Sequence, residues 1–256
     1  MVHPQKLDWT SYLDTFHASH PGITEEVLVR AHSNYGLTPF EWVVAPIAAG
    51  VTVLDLACGS GPCIDLREGE SWIGLDRSKE ELARARSAGQ AQLIRGDATT
   101  LPFRSDSFDA VVCSMALMLV QPLGRVLDEV SRVLRNDGTF TFTMPCRRPL
   151  RANDVVRYAQ LVRRLGRWRL RYPNDRELSG LSSLLEERGL DVVSDARERF
   201  RLPLRTTQDS DQFVHSLYLP DATRVEVDRG LILAARWVGS EIGIPLRRVV
   251  VRRRPR

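Results

Sequence analysis

The sequence predicts an α/β protein: a doubly wound, seven-stranded, mostly parallel sheet with N-terminal helices and a small helical cap. Three observations carry this reading. Seven short apolar, β-branched runs alternate with segments of helical spacing, the pattern of βαβ units. The first of these runs, Val-Thr-Val-Leu-Asp-Leu at 51–56, ends in a Gly-rich turn, as a buried parallel strand does. The chain has 256 residues, and one α/β domain can reach about that length. At 43% hydrophobic and 27% charged residues it can bury a substantial core, which excludes disorder, collagen and coiled coil as descriptions of the whole chain.

In chain order, Trp9, Tyr12, Leu13 and Phe16 and then Val27, Leu28 and Ala31 recur at helical spacing, separated by His20-Pro21-Gly22. Thr24 followed by Glu25 and Glu26 reads as a capped helix start. Another helix is expected over 39–49. The remaining strands are expected at 72–75, 92–94, 110–113, 139–144, 190–200 and 246–252. Helices are expected at 78–88 and 123–134, the latter with Leu123, Val126, Leu127, Val130, Val133 and Leu134 on one face and Asn136-Asp137-Gly138 as its stop. Beyond residue 145 the pattern predicts an Arg-rich helix over 151–171, a helix over 176–188 closed by Gly189, and a helix over about 221–239. These elements form one structural domain: an N-terminal helical lid (1–50), a core (51–146), an inserted cap helix (147–175), and a C-terminal part of the core (176–256) with a further cap insertion at about 201–245.

The charge sum is +4, and 34 of the 36 basic residues are Arg. Ten Arg and two Asp fall within 147–176, and six Arg without an acid within 245–256, so the remainder of the chain is acidic. Residues 163–172 could hold nucleic-acid phosphates with stacking from Trp168 and Tyr172. They could instead be the solvated side of a helix whose Leu161, Leu165, Trp168 and Tyr172 recur at intervals of four, three and four and face the core. The regular interval favours the second reading; a third is that an Arg reaches into a pocket to pair with an acidic substrate. The terminal arginines, 252–256, are expected to fray beyond the last strand. The four Cys (58, 63, 113, 146) show neither a disulfide framework nor zinc spacing, which points to a reduced, cytoplasmic protein with no metal site. The N-terminus lacks the apolar core of a signal peptide, and no apolar stretch is long enough to span a bilayer.

The chemistry-bearing motif is Val53-Leu54-Asp55-Leu56-Ala57-Cys58-Gly59-Ser60-Gly61. A strand entering Gly-x-Gly lets the backbone turn tightly and approach a ligand closely. The third Gly of a dinucleotide fingerprint is missing, and Asp55 at the strand end would repel a pyrophosphate while suiting a cationic amino group. Asp76 follows the next strand, where a carboxylate can accept both ribose hydroxyls. Asp97 follows the third, where it can accept from an exocyclic adenine amine.

With these residues in place, 51–145 resemble a class I S-adenosylmethionine-dependent methyltransferase, within the group that includes ubiquinone-biosynthesis and natural-product methyltransferases. The matching segments are Leu-Asp-Leu-Ala-Cys-Gly-Ser-Gly, Gly-Leu-Asp-Arg-Ser, Gly-Asp-Ala-Thr-Thr-Leu-Pro-Phe, Ser-Phe-Asp-Ala-Val-Val-Cys-Ser and Arg-Val-Leu-Arg-Asn-Asp-Gly-Thr-Phe, in order. The resemblance implies a Rossmann-like core that binds S-adenosylmethionine. Asp55, Ala57, Cys58, Gly59 and Gly61 would line its methionine part, and Asp76 would hold the ribose with Arg77 beside the adenine. Asp97 and Ala98 would meet the adenine edge, and Ser114 and Met115 would lie near the sulfonium. Relatives often carry His after the fourth strand, where this chain reads Met-Ala-Leu-Met-Leu-Val at 115–120, an apolar wall. Of His3, His17, His20, His32 and His215, the candidates for a general base are His32 and His215, with Tyr35 a candidate cofactor contact. The implied partner is a small-molecule acceptor methylated at O, N or C, expected to be a secondary metabolite, the protein being a monomer or homodimer with no membrane contact. The alternatives are an RNA or protein acceptor, or a cyclase or pericyclase that binds the cofactor without transferring its methyl.

Overall fold

The structure, a computed structural model, describes residues 8–64, 66 and 71–255; His3 and Arg256 lie outside the described residues. Three helices, α1 (Trp9–Ser19), α2 (Ile23–Leu28) and α3 (Pro39–Val44), precede β1 (Thr52–Leu56). Next come β2 (Ser71–Asp76), α4 (Lys79–Ser87), β3 (Leu93–Arg95), β4 (Phe108–Ser114), α5 (Leu123–Val133) and β5 (Leu134–Pro145). The chain ends with α6 (Ala152–Arg164), α7 (Asp175–Ser179), α8 (Leu181–Glu186), β6 (Leu190–Leu204), α9 (Thr207–His215), α10 (Arg224–Ala235) and β7 (Ser240–Arg253).

The seven strands form one sheet in the order β3-β2-β1-β4-β5-β7-β6. Neighbouring strands from β3 to β5 are parallel, and β7 runs antiparallel between β5 and β6. Alternation along the central strands supplies two apolar faces. Leu54, Leu56, Val111 and Cys113 pack with α5, whose Leu123, Val126, Leu127, Val130 and Val133 recur at helical spacing and are fully buried. Val53, Ala110 and Val112 pack on the opposite side with Phe40, Val43 and Val44 of α3. Burying aliphatic side chains of this size contributes about 1.5–3 kcal/mol each. The order in which successive strands are added reverses between β1 and β4, which opens a crevice at the carboxyl ends of these parallel strands.

Several expected elements take a different form. The helix expected over 151–171 stops at Arg164, because Gly166, at φ +69°, turns the chain away. Leu161 and Leu165 are buried as expected, but Trp168, past that turn, is 96% exposed and lies off the apolar face. The helix expected over 176–188 is two short helices meeting at Gly180. Asn136-Asp137-Gly138 lies at the start of β5, which follows α5 directly, with Asp137 at φ +60°. The last strand is longer than its apolar run, because β6 and β7 pair from Leu190↔Arg253 to Leu204↔Ser240. Arg253 and Arg254 are therefore held rather than frayed: Arg253 is buried and paired with Asp106, and Arg254 Nε donates to Asp191 at 2.8 Å.

Between β6 and β7 the chain inserts α9 and α10, which pack with each other and with α6 to form the cap. Capping boxes start both inserted helices, Thr206 with Asp209 and Thr223 with Glu226. The cap is anchored by a buried pair. Asp154 of α6 accepts Arg199 Nε at 2.7 Å and Nη2 at 3.0 Å, together with the backbone N–H groups of Arg151 and Gly243 at 2.9 and 2.8 Å.

Candidate functional site

The crevice at the strand ends is floored by Ala57 and Gly59 after β1, by Asp76, Arg77 and Ser78 after β2, and by Gly96, Asp97, Ala98 and Thr99 after β3. Ser114, Met115 and Ala116 follow β4 on its far side, with Leu119 and Val120. The lid closes it with Leu13, Asp14 and His17 of α1 and Thr24 and Glu25 of α2, and Tyr218 approaches from the cap. Ala57 and Met115, which leave the adjacent strands β1 and β4, have φ of 55° and 58°, a conformation that costs non-glycine residues about 1–3 kcal/mol. Gly59, at φ 55°, sits between them and the lid; a Cβ there would collide with the Glu25 carboxylate. The bare backbone at this point is a close-approach surface.

The carboxylates are held in distinct ways. Asp76 Oδ2 accepts the Gly59 N–H at 2.9 Å and Oδ1 accepts the Ser78 N–H at 2.8 Å, so one side chain ties the glycine turn to the tip of β2. Burial raises its pKa and outweighs these hydrogen bonds. Asp55 is buried beneath the turn, and its Oδ2 has no hydrogen-bond partner. Burial first, then the charges of Asp76 and Glu25, raise its pKa well above the ordinary range. Asp97 Oδ1 accepts the Thr99 N–H at 2.8 Å and its hydroxyl at 2.7 Å, which lowers the carboxyl pKa.

The lid is fastened by a fourth acid. Glu81 of α4 accepts the Gly22 N–H at 3.0 Å on both oxygens, and His17 Nδ1 donates to its Oε1 at 2.8 Å. Burial opposes a charged His17, but the Glu81 hydrogen bond and the surrounding carboxylates prevail and raise its pKa. Glu25, beside this pair, is pushed up to about 7 by burial and by the Glu81 charge. Arg77 pairs with Asp14 of α1 at 3.1 Å, a second tie between lid and sheet.

Of the residues expected from the sequence, Ala57, Gly59, Asp76, Arg77, Asp97, Ala98, Ser114 and Met115 line the crevice, while Asp55, Cys58 and Gly61 lie outside its lining. Tyr35, His32 and His215 also lie outside it. Tyr35 is 84% exposed, because the turn after Ser33 carries it into solvent. His32 bridges to Arg201, and its Nδ1 meets the Arg30 carbonyl at 3.1 Å; His215 stacks on His20 with ring centroids 5.8 Å apart. None of these three touches the crevice from where it stands. Conversely, His17, Glu25 and Tyr218 line it, and their spacing in the chain gave no sign of it: His17 reads as one side of an amphipathic helix and Glu25 as a first-turn acid. The four thiols are unpaired, burial raises the pKa of Cys58, Cys63 and Cys113, and no metal-binding cluster of His, Cys, Asp or Glu occurs among the described residues.

Three aspartates at successive strand tips, an unsatisfied buried carboxylate oxygen and an uncluttered glycine turn fit a ligand that is cationic and rich in hydroxyl and amine donors. Residues 54–142 match the methyltransferase domain family. A demethylmenaquinone methyltransferase of Clavibacter sepedonicus is 41% identical over 101 residues, covering 37% of this chain and 41% of the relative. A 2-phytyl-1,4-naphtoquinone methyltransferase of Synechococcus elongatus is 37% identical over 162 residues, covering 58% of this chain and 66% of the relative. The chain thus spans about half the length of the curated relatives it matches. Among solved structures, the [4+2]-cyclase SpnF is 17% identical with a TM-score of 0.57, covering 96% of this chain and 93% of that one, a likeness of fold alone. With this domain match, the strand order and the three aspartates, residues 54–142 form a class I S-adenosylmethionine-dependent methyltransferase domain.

Proposed function

We propose that this protein transfers a methyl group from S-adenosylmethionine to O, N or C of a small, largely apolar organic acceptor, a secondary metabolite handled in the cytoplasm. The observation that carries this is the make-up of the crevice: aspartates on the β1–β3 side and an apolar wall, Met115, Ala116, Leu119 and Val120, on the β4 side. When bound, S-adenosylmethionine supplies a methyl on a positively charged sulfur, an electrophile that needs no further activation. Asp76 has lone pairs left over from its two backbone hydrogen bonds for ribose hydroxyls, and the oxygen of Asp97 that faces away from Thr99 can accept an adenine amine. Asp55, Glu25 and Asp76 gather carboxyls of raised pKa around the Gly59 turn, where a cationic methionine part favours their ionised form and is held.

The β4 wall and the lid exclude water and align the acceptor, effects that can together supply up to about 7–11 kcal/mol of the barrier. Glu81 biases His17 toward the charged form, and burial keeps the Tyr218 phenol protonated, so both act as donors to the acceptor. The quinone methyltransferases that resemble the core act on ring-bearing molecules, which supports an apolar acceptor of similar chemistry.

The test is calorimetry with S-adenosylhomocysteine followed by an assay for that product with a panel of phenols, quinols and amines. Binding tighter than about 1 mM and product formed in step with methylated acceptor are expected. Absence of binding overturns the reading, and an acceptor converted without S-adenosylhomocysteine would favour a cyclase or pericyclase that binds the cofactor without transferring its methyl.

A further inference from the structure

A second cleft, of about 700 Å3, lies in the cap where the end of α6 meets α10, on surface that does not share a residue with the strand-end crevice. Its walls carry Arg163 and Arg164 from the last turn of α6, Arg229 from α10 and Arg236 just past its end, with Gln160 and Trp237 between them. No carboxylate lines it. Elsewhere arginines are matched with acids, among them Arg30 with Asp209, Arg132 with Glu129, Arg188 with Asp128, Arg247 with Asp195 and Arg254 with Asp191. The four cleft arginines have no ion-pair partner among the described residues. Two helices thus converge four like charges on one concavity with no carboxylate in contact with them.

We propose that this cleft binds a compact phosphoanion, a ligand with two or more phosphate groups close together. Guanidinium forks match phosphate oxygens with paired, charge-assisted hydrogen bonds, and a multivalent anion relieves the repulsion among the four groups. Trp237 forms a rigid wall: it is nearly buried, and Arg157 lies over its ring at 5.6 Å from the centroid, so the cleft keeps its shape without ligand. The positive region is bounded. At one end Glu226 sits against Gly166, and beyond Arg157 lies Glu241, which pairs with Arg151 and Arg199. Acids on both flanks favour a short anion over a polymer that would have to run past them. The inference is independent of the methyl-transfer reading, since it uses none of the residues of that site.

The experiment is calorimetric titration of the full chain with inorganic triphosphate at low and raised salt, beside the double variant Arg163→Gln/Arg236→Gln. Both side chains are exposed, so the variant is expected to keep the wild-type melting temperature and its affinity for S-adenosylhomocysteine. The expected result is triphosphate binding in the sub-millimolar range that weakens at least about tenfold from about 50 to 200 mM salt and at least about tenfold in the variant. Absence of binding below about 10 mM, or undiminished binding by the variant, overturns the proposal. An RNA oligonucleotide that binds through the same arginines while triphosphate does not would overturn it too, assigning the cleft to nucleic acid.

Discussion

The two charged clefts of this chain differ in what surrounds the charge. At the strand ends Asp55, Asp76 and Glu25 are enclosed, and in each of them burial is the largest influence that raises the carboxyl pKa. On the cap, the four arginines stand in solvent on the rim of a cleft, where mobile ions screen them within about 8–10 Å. A buried set of like charges must take up protons or a counter-ion, whereas an exposed set is softened by salt. Ligand binding at the strand ends is therefore coupled to pH, and binding on the cap to ionic strength. The two clefts belong to one sheet, the cap cleft being tied to it through the long β6–β7 pair, and their independence can be tested from there.

The largest expected effect is on that scaffold. Asp154→Ala removes the acceptor for two guanidinium and two backbone donors and leaves Arg199 with Glu241 as its remaining partner. Breaking one side of a buried pair of this kind costs about 3–5 kcal/mol, to be read by urea denaturation. S-adenosylhomocysteine affinity is expected to stay within about twofold of wild type, because α6 does not reach the crevice. A parallel loss of affinity would show that cap and crevice form one coupled unit and break the contrast drawn above.

Next is Asp76→Asn, which keeps the size of the side chain and its hydrogen bond to one backbone N–H while removing the charge and half of the acceptor capacity. An S-adenosylhomocysteine affinity lower by about 100-fold is expected, from lost charge-assisted hydrogen bonds to paired hydroxyls. The cap cleft should be untouched, so triphosphate titrations of this variant should overlay those of the wild type. Wild-type affinity for the nucleoside would remove Asp76 from the ribose.

How much of this was legible in the sequence differs between the same two regions. The core from β1 to β5 was readable because its central strands β1 and β4 are short apolar runs buried on both faces, and each aspartate lies at the carboxyl end of its strand, beside a turn whose place local sequence determines. Asp76 and Asp97 needed no knowledge of anything distant. Glu25 and His17 were not readable as site residues: they reach the crevice only because Glu81, 59 residues beyond Gly22, holds the lid turn. His32, His215 and Tyr35 misled for the same reason, since membership of a covering helix or insertion says nothing about which way a side chain faces. In the cap, helical periodicity carried Leu161 and Leu165 into the core but failed at Trp168, where a single left-handed glycine ended the helix. The apposition of Arg163 with Arg229 and Arg236, more than 60 residues apart, is a product of tertiary packing alone.

The smallest effect sharpens the contrast most. Glu25 has a pKa of about 7 in the free protein, raised from the ordinary 4.5. A raised acid favours the folded state while it is protonated, so its contribution to stability is complete below about pH 4.5 and is lost as pH rises through about 7. A cation placed beside it favours the ionised form, so cofactor binding releases a proton below pH 7 and affinity has the opposite slope. Between pH 6 and 8 the affinity for S-adenosylhomocysteine, whose amino group is cationic, should rise about tenfold and then level off. His17, held by Glu81 and facing the same cluster, adds positive charge as pH falls and steepens the change in the same direction. Calorimetry in two buffers of different ionisation heat measures the released proton directly. Glu25→Gln should flatten the profile to within about twofold and abolish the buffer dependence. If wild-type binding is flat across this range, the lid acid does not face the cofactor's charge; if the variant keeps the slope, the proton belongs to His17, Asp55 or Asp76, the other groups of raised pKa in the cluster.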